Sequence, residues 1–434
     1  MTARVFGGFA GIGRIALGAM AFAVVVTSMP AAAQDTNRRT LTLLRQETVS
    51  ERPRPELDPE GIPVDDLGGF VFFPSLVLQE QFVDNIFFVD SNVTGDFITR
   101  VSPTVQLNSD WNNHELNFFG EMDMGVHALN PRENFINWQA GLSGRIDISR
   151  DTNVYGSFSW ADTHESRGSP DDAAGVHPAF YDVWGGNVGV YQQINRMYVD
   201  LSAEVQQFIW KNVELDGIPV NINMQDRDRT QYAWNAEVGY EIDPEFTPFL
   251  RATYYKTNYR LSLDDAGVDR DSHGFGIVGG TQLNFSGVLF GDVFAGFRHQ
   301  NFVSPLSNSN SINFGGNLTW LPDTLTTVIL SLNHDLQETT VAGNAGFAAS
   351  RAGLTVDHEF LRNLIFSFAG SFEYDDFKGT GRHDAIFRVG LQARYLMNRN
   401  LYLSVAYDMQ NRASNAGAQD YLVNTGMVRL ELQY

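Results

Sequence analysis

The chain ends Asn424-Thr-Gly-Met-Val-Arg-Leu-Glu-Leu-Gln-Tyr434. Gly426, Val428, Leu430, Leu432 and Tyr434 alternate with Thr425, Met427, Arg429, Glu431 and Gln433. A strict period of two puts one set on each face of a β-strand, here one apolar and one polar. A terminal strand of this kind, closed by an aromatic residue, is similar to the assembly signal of bacterial outer-membrane barrels. Val428, Leu430, Leu432 and Tyr434 are the residues that would carry such a signal to the barrel-assembly machinery.

Working outward, the same alternation fills most of the chain. Phe97, Thr99, Val101, Val105 and Leu107 oppose Arg100, Ser102, Thr104, Gln106 and Asn108. Leu116, Phe118, Gly120, Met122, Met124 and Val126 oppose Glu115, Asn117, Glu121 and Asp123. Eighteen such segments begin near Phe70, Asp96, His114, Phe135, Asn153, Phe180, Met197, Arg229, Phe246, Ser272, Gly287, Ser311, Leu325, Ala349, Asn363, Asp384, Asn400 and Tyr421. The connections alternate short and long: Asn195-Arg196 and Asp243-Pro-Glu245 against 166–179, 213–228 and 261–271. Short turns at one end and long loops at the other are the habit of transmembrane barrels. The expected fold is therefore an all-β, antiparallel, up-and-down transmembrane barrel of eighteen strands, or sixteen if one hairpin is miscounted. In this arrangement both termini lie on the periplasmic side.

Composition sets the bounds. Arg4 and Arg14 precede an apolar run from Ile15 to Val26 and the stretch Met29-Pro-Ala-Ala-Ala-Gln34. That pattern is a secretory signal with cleavage between Ala33 and Gln34, and the run is too short to span a bilayer as a helix. Residues 1–33 are thus a signal peptide. Residues 34–69, charged and proline-rich around Glu51-Arg-Pro-Arg-Pro-Glu-Leu-Asp-Pro-Glu-Gly61, are an extended periplasmic leader outside the sheet. Residues 70–434 are the barrel. Losing Arg4 and Arg14 takes the formal charge from -21 to -23, which argues against nucleic acid as a partner. The absence of cysteine excludes disulfides, a lipoprotein anchor and thiolate metal sites.

A lipid-facing sheet must close so that every backbone N–H and C=O is paired. A soluble sandwich would show the same alternation, but long strands, an export signal and aromatics near strand ends (Phe72, Trp111, Phe135, Trp184, Trp234, Phe249, Trp320, Tyr434) favour the membrane.

The sequence Arg52-Pro-Arg-Pro-Glu-Leu-Asp-Pro-Glu-Gly61, then Gly69-Phe-Val-Phe-Phe-Pro74-Ser-Leu, then Asp84-Asn-Ile-Phe87 resembles the entry region of the outer-membrane family called "putative beta-barrel porin 2". The resemblance implies a porin-like barrel in the outer membrane of Gram-negative bacteria. It also implies an association with surface-polysaccharide systems. It supplies no catalytic residue.

Alternation assigns Arg100, Glu121, Asp123, Arg145, Glu204, Glu237, Arg251, Asp292, Arg298, Arg351, Glu373, Arg388 and Arg394 to the lumen. A charge facing lipid near the midplane costs a few kcal/mol, so these are the pore-lining candidates. They either set a selective field or form an ion-pair lattice that stiffens the wall. Inward aromatics Phe119, Tyr155, Tyr191, Tyr255 and Tyr402 either line a sugar path or pack against an inward loop. Asp171-Asp172, Asp226-Arg-Asp228 and Asp264-Asp265 through Asp271 lack the ordered spacing of a calcium loop and are expected as solvated loops, with divalent bridging to lipopolysaccharide as a weaker reading. The nine histidines form no metal-binding pair, and no nucleophile motif appears. The expected function is passive diffusion of small polar or ionic solutes, without catalysis or cofactor. The alternative is a non-conducting or gated barrel with polysaccharide-export partners. No flat apolar patch identifies a homo-oligomer interface.

Overall fold

The computed structural model describes residues 56–64, 68–215, 218–285, 287–341 and 343–434. The expected signal peptide, its expected cleavage site at Ala33 and Gln34, and most of the expected leader lie outside the described residues. Eighteen antiparallel strands form the barrel: β1 (Phe70–Val83), β2 (Asp96–Ser109), β3 (Glu115–His127), β4 (Phe135–Asp147), β5 (Thr152–His164), β6 (Phe180–Ile194), β7 (Met197–Trp210), β8 (Arg229–Tyr240) and β9 (Phe246–Tyr259) make one half. The other half is β10 (Ser272–Phe285), β11 (Leu289–Phe302), β12 (Ser309–Trp320), β13 (Thr326–Gln337), β14 (Phe347–Leu361), β15 (Leu364–Phe377), β16 (His383–Asn398), β17 (Leu401–Ser414) and β18 (Tyr421–Gln433). Each strand pairs with its sequence neighbour, and β18 returns to β1, with Leu432 opposite Leu76 and Leu430 opposite Leu78. The sheet therefore has no open edge within the barrel, as a lipid-facing sheet requires. All eighteen sequence segments correspond to strands, each start agreeing within two residues.

Side chains sort by parity. Val105, Leu142, Val188, Leu201, Leu250, Ile277, Leu330, Leu391 and Val405 are exposed on the outside. Val428, Leu432 and Tyr434 share that outer face. Trp111, Trp234 and Trp320 are exposed there too, as interfacial aromatics should be. Phe249 departs from the girdle expectation. It shares parity with Arg251, points inward and is buried, with the Arg251 guanidinium 5.0 Å from its ring.

The two ends differ. One carries connections of two to five residues and both barrel termini; the other carries loops of five to eighteen residues. The leader is not wholly outside the sheet. Ile62–Val64 pairs antiparallel with Phe70–Phe72, on the edge of β1 that lies beyond the last β18 partner, Ser75 opposite Gln433. Unpaired backbone below the end of β18 recruits it. Leu57 packs on Ile365, Leu396 and Tyr402, and its carbonyl accepts the Tyr402 hydroxyl at 2.7 Å.

Candidate functional site

The lumen wall comes first. All thirteen charged candidates lie on the inward face, along which they find partners. Arg100 pairs with Asp123, which also accepts Ser102 at 2.9 Å. Glu121 accepts Gln139 at 2.7 Å. Arg145 bridges Glu115 and Asp147 at 3.2 and 2.9 Å. Glu237 sits opposite Arg251 in the ladder, pairs with it, and accepts the Tyr198 hydroxyl at 2.6 Å. Arg298 reaches over β12 to Asp335 at 2.5 Å. Glu373 lies between Arg351 at 2.5 Å and Arg388 at 2.8 Å. Arg394 spans Tyr402 to meet Glu431 at 3.1 Å. Glu204 and Asp292 also face inward, from β7 and β11. The wall is thus a lattice of neighbouring opposite charges, not one basic arc facing one acidic arc.

Of the inward aromatics, Tyr155, Tyr255 and Tyr402 belong to the same lattice, whereas Phe119 stays exposed. Tyr155 lies flat over Gly189 of β6, where an added Cβ would come within 2.3 Å of its ring. Its hydroxyl donates to Asp200 at 2.8 Å. Tyr255 and Tyr402 are covered by Arg298 and Arg394, 4.1 and 4.6 Å above their rings. Rings held this way strengthen the wall and do not project as a path.

The long-loop mouth is built differently. Loop 165–179, between β5 and β6, leaves the wall and meets the rim at separate places. Arg167 forms a two-pronged pair with Glu133 of the β3–β4 loop at 3.0 and 2.7 Å. The Gly168 carbonyl oxygen accepts the Arg412 guanidinium of β17 at 3.0 Å, and a Cβ on Gly168 would lie 2.7 Å from Phe88 and 3.1 Å from the Tyr421 hydroxyl. Only glycine fits such a close approach without displacement. Asp171 accepts Thr339 and Thr340, in the β13–β14 loop, at 2.8 and 3.1 Å. In an eighteen-strand ring, β13 is eight strands from β5 in one direction and β17 is six strands away in the other. The loop therefore crosses the lumen.

Beneath it, Arg227 grips Glu165 in a second fork at 2.8 and 2.7 Å and lies 3.5 Å over the Trp210 ring. Burial opposes the Arg227 charge, but Glu165, Asp171 and Asp226 outweigh it and hold the guanidinium more firmly protonated than usual. Arg270 ties the β9–β10 loop to the carbonyls of Thr339 and Asn344 at 2.8 and 3.2 Å. Asp172 feels burial first and Glu165 in addition; together they outweigh Arg167 and raise its carboxyl to about 6.

The Asp-Arg-Asp triplets are therefore not the solvated segments that their composition suggested, whereas Asp265 to Gly267 are exposed as expected. Arg227, Asp228 and Arg270 are buried. Asp228 accepts the Trp210 backbone N–H and Asp271 accepts that of Tyr259, both at 2.6 Å. The two Asp-Arg-Asp triplets are structurally equivalent: each sends its arginine under the mouth and uses its last aspartate to cap the preceding strand. Among the described residues no cluster of three or more histidine and carboxylate side chains could hold a metal.

A family profile described as "Putative beta-barrel porin 2" matches residues 54–434. The chain belongs to this family. A search of curated proteins finds no match. Among solved structures, the chain is similar to the siderophore receptor PirA from Acinetobacter baumannii, with TM-score 0.47, 7% identity, and 84% of this chain and 80% of that one covered. It is likewise similar to OccK2 (OpdF) from Pseudomonas aeruginosa, with TM-score 0.46, 9% identity, and 84% and 99% covered. For OpdK with vanillate, from the same organism, the TM-score is 0.43, with 10% identity and 86% and 100% covered.

In this porin-family barrel, the residues that alternation did not flag all sit at the loop mouth: Glu165, Arg167, Trp210, Arg227, Arg229 and Glu338. The available signal was the repeated Asp-Arg-Asp immediately before β8 and β10. It places a lone cation between two anions at a strand entrance, where an arginine can turn inward.

Proposed function

We propose that the protein is an outer-membrane channel for small polar or ionic solutes, with loop 165–179 narrowing its outer mouth. The family supports the porin reading. The observation that carries it is the closed eighteen-strand barrel with an apolar outer face and a hydrogen-bonded, charged inner face. A barrel of this size keeps an aqueous lumen unless loops fill it, and here the crossing loop meets the lumen at one end. The outer belt fits lipid and lipopolysaccharide. The short-turn end, with both termini, faces the periplasm, and β18 presents Val428, Leu430, Leu432 and Tyr434 to the assembly machinery.

The test is conductance of the refolded mature chain in a planar bilayer under a salt gradient. The intact chain is expected to give small steps, and a chain lacking residues 166–176 larger ones. The reversal potential should favour cations, because inward-facing carboxylates outnumber inward-facing arginines. Silence from both chains, each folded, overturns the channel reading. The crossed mouth also favours a second reading, a gated barrel in surface-polysaccharide export. Loss of surface polysaccharide on gene deletion, without altered permeability, would select it.

A further inference from the structure

The crossing loop hides a small cavity of about 20 Å³, lined by Glu165, Trp210, Arg227, Arg229, Tyr259 and Glu338 among others. That is room for about one water. Its chemistry is lopsided. Arg229 opens β8 and is buried; Glu338 across the cavity feels its charge, but no carboxylate lies within direct ion-pair distance of it among the described residues. Its Nε, and the indole Nε1 of buried Trp210, have no acceptor. A buried donor left unmatched is costly, more so when charged. Beside these two donors stands Arg227, whose two Nη groups are filled end-on by Glu165.

Arg229 belongs to β8 and Arg227 precedes it in the β7–β8 loop; Glu165 follows β5 directly, its backbone N–H paired with the Ala179 carbonyl at 2.8 Å, so only its side chain has to turn to leave the fork. Arg227 and Arg229 flank Asp228 at the entrance of β8, with Arg227 stacked on Trp210 and Arg229 stacked 4.3 Å over Phe208. Glu165 begins the crossing loop. We propose that this cavity is the collapsed form of a binding site for a small carboxylate-bearing solute, and that Glu165 occupies it in the solute's place. Any carboxylate reproduces the two parallel N–H···O bonds that Glu165 makes. A free one would also reach the unmatched donors of Arg229 and Trp210. Glu338 closes the other side with a buried carboxyl group, so a monocarboxylate fits better than a phosphate or a dianion. Entry of the solute displaces Glu165 and releases that side of the loop, coupling recognition to opening. The inference rests on the channel reading and names its solute class.

The experiment uses the full mature chain in a planar bilayer, with sodium glucuronate, glucose or matched sodium chloride added at the long-loop side. Glucuronate is expected to raise the open probability about tenfold, a shift that needs only a modest preference for the open form. Glucose and chloride should leave it unchanged. Glu165→Gln should open the channel without solute and blunt the response to glucuronate. If that variant does not fold, judged by heat-modifiable migration, Asp171→Asn serves instead. It weakens the tie to Thr339 and Thr340 and removes one of the charges beside Arg227 while leaving the Glu165 fork intact, and it should lower the glucuronate concentration needed. Equal responses to glucuronate and glucose, in a protein whose 166–176 deletion conducts, overturn the site and leave the channel standing. A deletion chain that folds and carries no current removes both.

Discussion

The two mouths of this barrel use the same residue types to opposite effect. At the short-turn end, Arg145, Glu115 and Asp147 form a triad whose side chains stay 28 to 46% exposed. Arg362 and Arg399 meet Glu56 and Glu60 of the leader in similarly open contacts. At the long-loop end, the forks of Arg167 with Glu133 and of Arg227 with Glu165 are only 4 to 7% exposed. Turns of two to five residues cannot leave the rim, so their charges remain wet and weakly coupled. Loops of fifteen and eighteen residues can cover one another, and a dry ion pair cannot lose one member without leaving the other stranded. Strand connectivity, more than composition, decides which charges lock a mouth.

The sharpest way to break that contrast is Arg227→Ala. Removing one partner of a buried pair costs about 3–5 kcal/mol, and here Glu165 is the residue left behind. The loss is expected in the loop assembly and not in the barrel, because strand pairing does not involve this side chain. Hydrogen exchange should rise across 165–179 and 338–346 while the strands keep their protection, and heat-modifiable migration should persist. Exchange spread over β5–β8 would show that the mouth and wall unfold together.

Asp172 gives a smaller, reversible version. Its carboxyl is raised to about 6 in the closed loop, above the value it would have in an open, solvated one. The closed form therefore binds more protons between roughly pH 4 and pH 6. Closure is strongest below that window and weakens as pH rises through it, by about 2–3 kcal/mol at most. Protease cutting within 165–179 should be slower at pH 5 than at pH 7, and Asp172→Asn should flatten the difference. Faster cutting at pH 5 would mean that the Arg167 contact governs Asp172 instead.

The comparison also explains what could be read from the sequence. Leu116 to Val126 and Gly426 to Tyr434 obey a period of two because each strand has one lipid side and one lumen side. The count of eighteen, the face of Arg100 or Glu373, and the alternating connection lengths all follow from that local rule. Nothing local records that Asp171 meets Thr339 and Thr340, or that Gly168 lies under Arg412, since those contacts join residues far apart in the chain. A loop's composition cannot say whether it lies over water or over another loop. Asp226-Arg-Asp228 looks like a solvated turn until Trp210 and Glu165 are placed beside it. Phe249 departs for a simpler reason: its parity with Arg251, not its nearness to a strand end, sets the face it occupies.

The least perturbing test probes the open mouth. Arg145→Gln removes the centre of the Glu115–Arg145–Asp147 triad, and each ion pair there is exposed enough that its loss should cost less than about 1 kcal/mol. Asp147 keeps a second anchor, because its carboxylate also accepts the His114 backbone N–H at 3.0 Å, while its own N–H donates to His114 Nδ1 at 3.0 Å. The β2–β3 turn should therefore hold its place without the arginine. The unfolding midpoint in urea should move little, and what movement there is should shrink further in high salt, as expected for screened surface charges. A shift as large as that of Arg227→Ala would show that the short-turn mouth is also locked by its charges, and that loop length is not what separates the two ends.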